Sequence, residues 1–234
     1  MKIHGLQKMT LLDFPGKVAC TVFLGGCEFR CPFCHNSDLL DMNAPGIMDE
    51  KELLAFLEKR KGLLDGVAFT GGEPLLRRDL PELLRSIRAL GYPVKLDTNG
   101  NHPKELRTVV EEGLVQYVAM DIKNSPARYA ETVGLANVNM ENIKESAAFL
   151  MEGTCEYEFR TTTVDELHDE ASFEAIGKWL CGAKRYFIQP FTDRDSVMFS
   201  GLHAPSDAKL HRYAEIVRAY IPTAQIRGAE ESEK

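Results

Sequence analysis

Three thiols fall within eight residues, in the run Cys27-Glu-Phe-Arg-Cys31-Pro-Phe-Cys34. The spacing C-x3-C-x2-C lets one short loop bring three thiolates to one metal centre without help from distant residues. A zinc ribbon or a complete iron–sulfur site uses four ligands, and the local count is three. The other cysteines, Cys20, Cys155 and Cys181, are isolated. The simplest inference is a cubic iron–sulfur cluster held at three irons, with the fourth iron open to substrate or cofactor. Three other readings use part of the same loop. Cys31-Pro-Phe-Cys34-His35 matches the C-x-x-C-H pattern of haem attachment, which normally requires export. A C-x-x-C redox pair leaves Cys27 without a role. Structural zinc needs a fourth ligand, which His35 or His4 could supply.

Further polar motifs follow at intervals: Gly71-Gly72-Glu73-Pro74, Asp97-Thr98-Asn99-Gly100 and Asp121-Ile122-Lys123. Paired glycines let an extended backbone approach a small ligand closely, and a backbone edge with a carboxylate can hold an ammonium group. Each motif also has a plain reading. Gly-Gly, Glu-Pro and Asn-Gly suit ordinary turns, and Asp121 with Lys123 suits an exposed ion pair. No Ser-His-Asp arrangement stands out, so no acid, base or nucleophile is expected.

The elements around these motifs alternate. Apolar, β-branched runs predict strands over 18–24, 66–70, 94–98, 117–122, 157–163 and 185–189. Helical periodicity and capping residues predict helices over 50–61, capped by Asp49, and over 80–90, 104–112, 140–151, 172–180 and 205–219. A last short strand is expected over 223–227, a lead-in with a turn at Phe14-Pro15-Gly16 over 1–17, and a frayed charged tail over 229–234. Such alternation implies a parallel sheet with helical crossovers. Six units are fewer than the eight of a closed barrel, so the expected fold is α/β, a partial (β/α)6 barrel with outer helices. An open doubly wound sheet is the other possibility. The cysteine loop and the three polar motifs all follow predicted strands, on the rim where parallel barrels carry their active sites.

Composition bounds the rest. The 234 residues are 44% hydrophobic, enough for one core and one domain over 1–234. Net charge is −7, from 35 acidic and 28 basic residues, without a long basic run. Nucleic acid is therefore not an expected partner. No membrane span is expected. Met1-Lys-Ile-His-Gly-Leu lacks the apolar core of a signal peptide. Six cysteines then suggest a reducing, cytoplasmic setting and metal chemistry.

The cysteine spacing, with Phe33 before the third thiol, closely resembles the radical S-adenosylmethionine (SAM) superfamily. Gly71-Gly72-Glu73-Pro74 resembles that family's GGE motif. The D-T-N-G and D-x-K motifs resemble those of glycyl radical enzyme activating enzymes. The opening Gly5-Leu-Gln-Lys-Met-Thr-Leu-Leu-Asp-Phe-Pro-Gly16 and the loop Cys31-Pro-Phe-Cys-His-Asn36 are most similar to the activating proteins of anaerobic ribonucleoside-triphosphate reductase. The resemblance implies one [4Fe-4S] cluster on Cys27, Cys31 and Cys34. It implies SAM bound by Phe33, Gly71, Gly72, Glu73, Pro74, Asp97, Thr98, Asn99, Asp121, Lys123 and Arg160, with Glu73 on the methionyl ammonium. It implies a monovalent cation near Asp97, Thr98, Asp121 and the Ala119 carbonyl. Arg160 would lie near SAM or a target peptide, or else in a barrel-end salt bridge, and 189–191 would reach the same rim.

The implied reaction is reductive cleavage of SAM to a 5′-deoxyadenosyl radical, which takes a hydrogen from a glycine of a transient protein partner. A flavodoxin or ferredoxin would supply the electron. Activation of pyruvate formate-lyase is an alternative, as is small-molecule chemistry of the deazapurine synthase kind. A metal-binding module without activity would leave the rim motifs unused. Between Cys34 and Gly71 there is no cysteine, so no second cluster is expected there. Cys20, Cys155 and Cys181 are expected to be core or incidental residues, and Met120 and Met198 to serve packing.

Overall fold

A computed structural model describes residues 1–228; the tail expected over 229–234 lies outside the described residues. The lead-in is more ordered than its sequence suggests. It forms β1 (Lys2–Ile3) and β2 (Gly5–Thr10). The second of these runs antiparallel to the first long strand, β3 (Ala19–Leu24). Only Thr10 of β2 is buried. Ladder hydrogen bonds hold this edge strand, so it leaves little trace in the hydrophobic pattern. The expected turn is present, with Lys17 N donating to the Phe14 carbonyl at 3.1 Å.

After the cysteine loop, β4 (Met48–Asp49) pairs with β1 and runs into α1 (Glu50–Glu58). The Asp49 side chain accepts from Glu52 N, and the Glu52 carboxylate accepts from Asp49 N. This reciprocal box satisfies two backbone donors at the helix start. The helix ends short of the predicted residue 61.

The alternation then proceeds through β5 (Gly66–Gly71), α2 (Leu80–Ala89), β6 (Val94–Thr98), α3 (Pro103–Glu111), β7 (Tyr117–Asp121), the unpredicted short α4 (Tyr129–Thr132), α5 (Met140–Met151), β8 (Glu156–Thr163), α6 (Glu170–Trp179), β9 (Tyr186–Pro190), α7 (Asp207–Arg218) and β10 (Gln225–Ile226). Helix α2 shows why the periodic reading works. Leu80, Leu83, Leu84 and Ile87 form one buried stripe against the sheet.

The main sheet has the order β10-β9-β8-β7-β6-β5-β3-β2. Strands β3, β5, β6, β7, β8 and β9 are parallel and stand side by side in chain order. A doubly wound sheet would reverse its strand order part-way. Among the described residues this sheet does not, which is the arrangement of a partial (β/α)6 barrel. One further parallel strand, β10, extends one edge and antiparallel β2 extends the other. Among the described residues the two edges do not pair with each other, so the barrel is open. Its helices pack in succession, α1 on α2, α3 on α5 and α6 on α7. The strands between are buried on both faces over most of their length. Among the described residues, no helix is long and apolar enough to cross a membrane.

Candidate active site

Parallel register brings the ends of the strands level. Leu24 pairs with Gly71, Asp97 with Ala119, and Asp121 with Arg160. The loops that leave these ends therefore meet around one cavity of about 160 Å³. Cys27, Phe33, Cys34 and Cys31 line it, with Gly71, Gly72, Asp97, Thr98, Asn99, Asp121 and Lys123. Thr70 and Thr162, which sequence reasoning did not single out, also line it.

The cysteine loop is held from several sides. Arg30 folds back and donates to the Cys27 and Phe29 carbonyls at 2.6 and 2.7 Å. Arg30 N donates to the Val133 carbonyl just after α4, at 2.8 Å. Asn36 Nδ2 donates to the Gly71 carbonyl at 2.9 Å, tying this loop to the glycine motif. His35 Nε2 donates to the Thr192 carbonyl at 2.7 Å, and its ring stacks on buried Phe191. Ser37 Oγ donates to the Ser196 carbonyl, and Ser196 Oγ to the His35 carbonyl. The segment after β9 thus straps the cysteine loop across the barrel's open side. Phe191, expected near the rim, is packed beneath His35 and is not free to meet a peptide. His4 does not line the cavity, and its Nδ1 accepts from Gly25 N at 2.8 Å.

Gly71 and Gly72 have a structural role that the sequence reading did not give them. Gly71 has φ +120°, and a Cβ there would lie 2.4 Å from the Leu24 carbonyl oxygen. A Cβ on Gly72 would lie 2.1 Å from the Gly26 carbonyl oxygen. The glycines let the β5 loop press against the backbone that leads into Cys27.

Glu73 corrects the reading further. It is fully buried and does not line the cavity. Its Oε1 accepts from Leu75 N at 3.0 Å and from Thr98 Oγ1 at 2.9 Å, and its Oε2 accepts from Asn99 N at 2.6 Å. Burial, then the nearby Glu28 charge, pushes its carboxyl up to about 7. Glu73 therefore clasps the D-T-N-G turn from below, and its neighbour Pro74 is buried at the head of a short turn.

Asp97 and Asp121 form the opposite wall. Arg160 Nε donates to Asp121 Oδ1 at 3.0 Å, its Nη2 lies 2.9 Å from that same oxygen, and its guanidinium lies 3.4 Å from Asp97. Lys95, almost wholly buried, pairs with Asp97, and Lys123 donates to Asp121 at 3.0 Å. Burial alone would raise the Asp121 carboxyl, but Arg160 and Lys123 hold it at about 2. Arg160 thus bridges the two carboxylates where a cation was expected, as the salt bridge that was its alternative reading.

Burial lifts the Cys27 thiol to about 12, with Glu28 adding to it, and lifts Cys31 to about 11. Among the described residues, no three His, Cys, Asp or Glu side chains converge on one ion position. Zinc would need its thiolates about 2.3 Å from one centre, whereas a cubic cluster takes each thiolate on a separate iron.

A family model for the radical SAM superfamily matches residues 21–171. The chain belongs to the radical SAM superfamily. A Methanocaldococcus jannaschii protein, provisionally named a glycyl-radical enzyme activating enzyme, is 31% identical over 235 residues, covering 96% of this chain and 95% of that one. The pyruvate formate-lyase-activating enzyme of Clostridium pasteurianum is 33% identical over 128 residues, about half of each chain (53% and 52%). The 7-carboxy-7-deazaguanine synthase of Hyperthermus butylicus is 29% identical over 76% of this chain and 71% of its own. Among solved structures, a radical SAM methyltransferase from Sphaerobacter thermophilus superposes with TM-score 0.73 at 16% identity, over 94% of this chain and 68% of that one. That likeness speaks for the fold alone.

As a radical SAM enzyme the chain takes a [4Fe-4S] cluster and SAM. The residues present suit both. Three thiols open onto one cavity from a loop anchored on Arg30 and Asn36. Iron would deprotonate thiols that burial otherwise keeps neutral. The same cavity presents Lys123, Asp97, Asp121 and Asn99, charges and amides of the kind a zwitterionic amino acid requires.

Several supporting residues escaped the sequence reading. Glu28 accepts from Asn99, Asn101 and His102, at 3.0 to 3.2 Å. His168 Nε2 donates to the Lys123 carbonyl at 2.9 Å. Lys95 alone left a signal, since strand alternation puts it on the face of Asp97. Met120 is buried in the core as expected, whereas Met198 is 60% exposed and does not serve packing. Cys20 is buried, and Cys181 is exposed.

Proposed function

We propose that this chain, acting as one radical SAM domain, activates a glycyl radical enzyme, and that the partner is anaerobic ribonucleoside-triphosphate reductase. The observation that carries the activase reading is the match along nearly the whole chain to the M. jannaschii protein. The reductase is favoured by the opening segment and the Cys31-to-Asn36 loop. Cys27, Cys31 and Cys34 would hold the cluster. Phe33, Gly71, Gly72, Asp97, Thr98, Asn99, Asp121 and Lys123 would surround SAM. Glu73, Pro74 and Arg160 would act from behind, by shaping the loops and fixing the carboxylates.

When bound, the cluster supplies an electron to SAM, and SAM supplies the radical that takes hydrogen from glycine. The chain's own part is to orient SAM and keep competing acceptors out. Lys123 would face the SAM carboxylate. The loop carbonyl of Gly72 would accept from its ammonium, since Glu73 and the Gly71 carbonyl are already committed. With Arg160 between Asp97 and Asp121, a monovalent cation would add to an existing counter-charge.

The test mixes reduced protein, SAM and the reductase of the source organism without oxygen. A glycyl doublet on the reductase, with 5′-deoxyadenosine in matching amount, is expected. A doublet only on a pyruvate formate-lyase would move the partner to the other activase class. The match to a deazaguanine synthase over 76% of the chain favours a second reading, chemistry on a small heterocycle. Stoichiometric 5′-deoxyadenosine formation driven by a metabolite, with no protein radical, would select it.

A further inference from the structure

Glu28 follows the first thiol of the cysteine loop, yet it does not line the cavity. Its Oε1 gathers three donors from the segment that leaves β6: Asn101 Nδ2 at 3.0 Å, His102 Nε2 at 3.0 Å and Asn99 Nδ2 at 3.2 Å. Its Oε2 is buried and accepts from none of the described residues. Among the described residues, these three bonds are the ones that tie the cysteine loop to the turn after β6. Of the three donors, Asn99 alone lines the cavity.

An asparagine amide has two ends of opposite polarity, and its neighbours decide which way round it lies. Asn101 N can only donate, and it donates to Asn99 Oδ1 at 2.9 Å. A carboxylate can only accept, so Glu28 requires the NH2 end. The two contacts agree. Turning the amide over would set oxygen against carboxylate and N–H against N–H. One Nδ2–H goes to Glu28, and the other is uncommitted among the described residues. The path of the turn is fixed by other bonds. Asn99 N donates to Glu73 Oε2 at 2.6 Å, and from α5 Ser146 Oγ donates to the Gly100 carbonyl at 2.7 Å and Asn142 Nδ2 to the Asn101 carbonyl at 3.1 Å. The distinctive share of Glu28 is therefore the orientation of the Asn99 side chain.

We infer that Glu28 is a positioning residue for SAM binding: it holds the nitrogen end of the Asn99 amide in place, so that the cavity offers a fixed N–H donor to an acceptor atom of SAM. The inference rests on the SAM site proposed above, in which Asn99 takes part. Glu28 itself touches no substrate and acts through Asn99. An amide fixed beforehand has no freedom left to lose when the ligand arrives, so its hydrogen bond contributes more to affinity.

The experiment measures SAM binding to the reconstituted, oxidised holoprotein by equilibrium dialysis, where no cleavage occurs. Glu28→Met keeps the length of the side chain and removes its acceptors. It should bind SAM about five- to tenfold more weakly, with iron content and the cleavage rate at saturating SAM unchanged. Glu28→Gln should bind within about twofold of the wild type, since its carbonyl can stand where Oε1 does and its NH2 where Oε2 accepts nothing. Added to Asn99→Ala, Glu28→Met should weaken binding no further. Asn142→Ala loosens the same turn from the α5 side and should leave SAM affinity as it is. Unchanged affinity in Glu28→Met, with weaker binding in Asn99→Ala, overturns the inference and leaves the SAM site standing. Unchanged affinity in Asn99→Ala removes Asn99 from the site, and the inference falls with it. Loss of iron in Glu28→Met, or an equal loss of affinity in Asn142→Ala, would make Glu28 a structural residue and overturn the inference.

Discussion

Arg160 and Asp121 are direct partners across β8 and β7, and the guanidinium grips the carboxylate through Nε at 3.0 Å and Nη2 at 2.9 Å. Both nitrogens converge on the single oxygen Oδ1, which leaves Oδ2 to Lys123 at 3.0 Å. The same guanidinium reaches Asp97 from the next strand but one. Two carboxylates on one wall of the cavity are thereby held close together.

Replacing Arg160 by Gln leaves those carboxylates facing each other with Lys95 and Lys123 as their remaining cations. Like charges at that range oppose the arrival of a further carboxylate. SAM cleavage by the wild type should respond only shallowly to potassium, and Arg160→Gln should respond steeply, with SAM affinity down about tenfold at low potassium. Equal potassium curves for the two proteins would remove Arg160 from this role.

The Asp121 pair also carries a pH signature. Its carboxyl sits at about 2 in the folded chain against an ordinary 3.8. The stability it contributes is therefore complete above about pH 4 and is lost as pH falls through about 2. The contribution is at most about 2.5 kcal/mol. Urea unfolding of the metal-free protein across that window should show the decline, and Asp121→Asn should flatten it.

The thiols separate into two groups. Ala at Cys27, Cys31 or Cys34 should abolish the cluster, read as iron content and visible absorbance. Ala at exposed Cys181 should change nothing. Ala at Cys20, buried in the core, should keep the cluster but cost about 1 kcal/mol of stability. A normal spectrum from Cys31→Ala would sink the three-ligand assignment.

Glu73→Ala strands two backbone N–H groups and a threonine hydroxyl in a buried site. Each unsatisfied group costs about 1–3 kcal/mol, so a loss of several degrees in melting temperature is expected before any ligand is added. Undiminished stability, with SAM binding alone lost, would return Glu73 to the ammonium.

Gly72→Ala should behave as a packing lesion at the same junction, since its Cβ would meet the Gly26 carbonyl oxygen at 2.1 Å. A cost of about 1–3 kcal/mol is expected in unfolding experiments, with weaker cluster retention, because the displaced backbone leads directly into Cys27.

The alternation of strands and helices was legible because every crossover needs its own buried stripe, as Leu80, Leu83, Leu84 and Ile87 show on α2. Edge strand β2 was not, because its ladder bonds hold it without burial. The thiol loop was legible because its three donors are neighbours in the chain. The partners of Glu73, Arg160 and Lys123 were not, because they lie far along the chain: 25 residues from Glu73 to Thr98, 39 from Asp121 to Arg160, 45 from Lys123 to His168.

By itself the sequence determined the metal chemistry, the parallel α/β class and which loops share a rim. These follow from local spacing and from the periods of helix and strand. Only the tertiary structure decided which charged groups face the cavity and which are spent on one another. That choice depends on strand register and on what lies across the barrel. Glu73 therefore reads as a ligand and folds as a clasp, and Arg160 sits where a cation was expected.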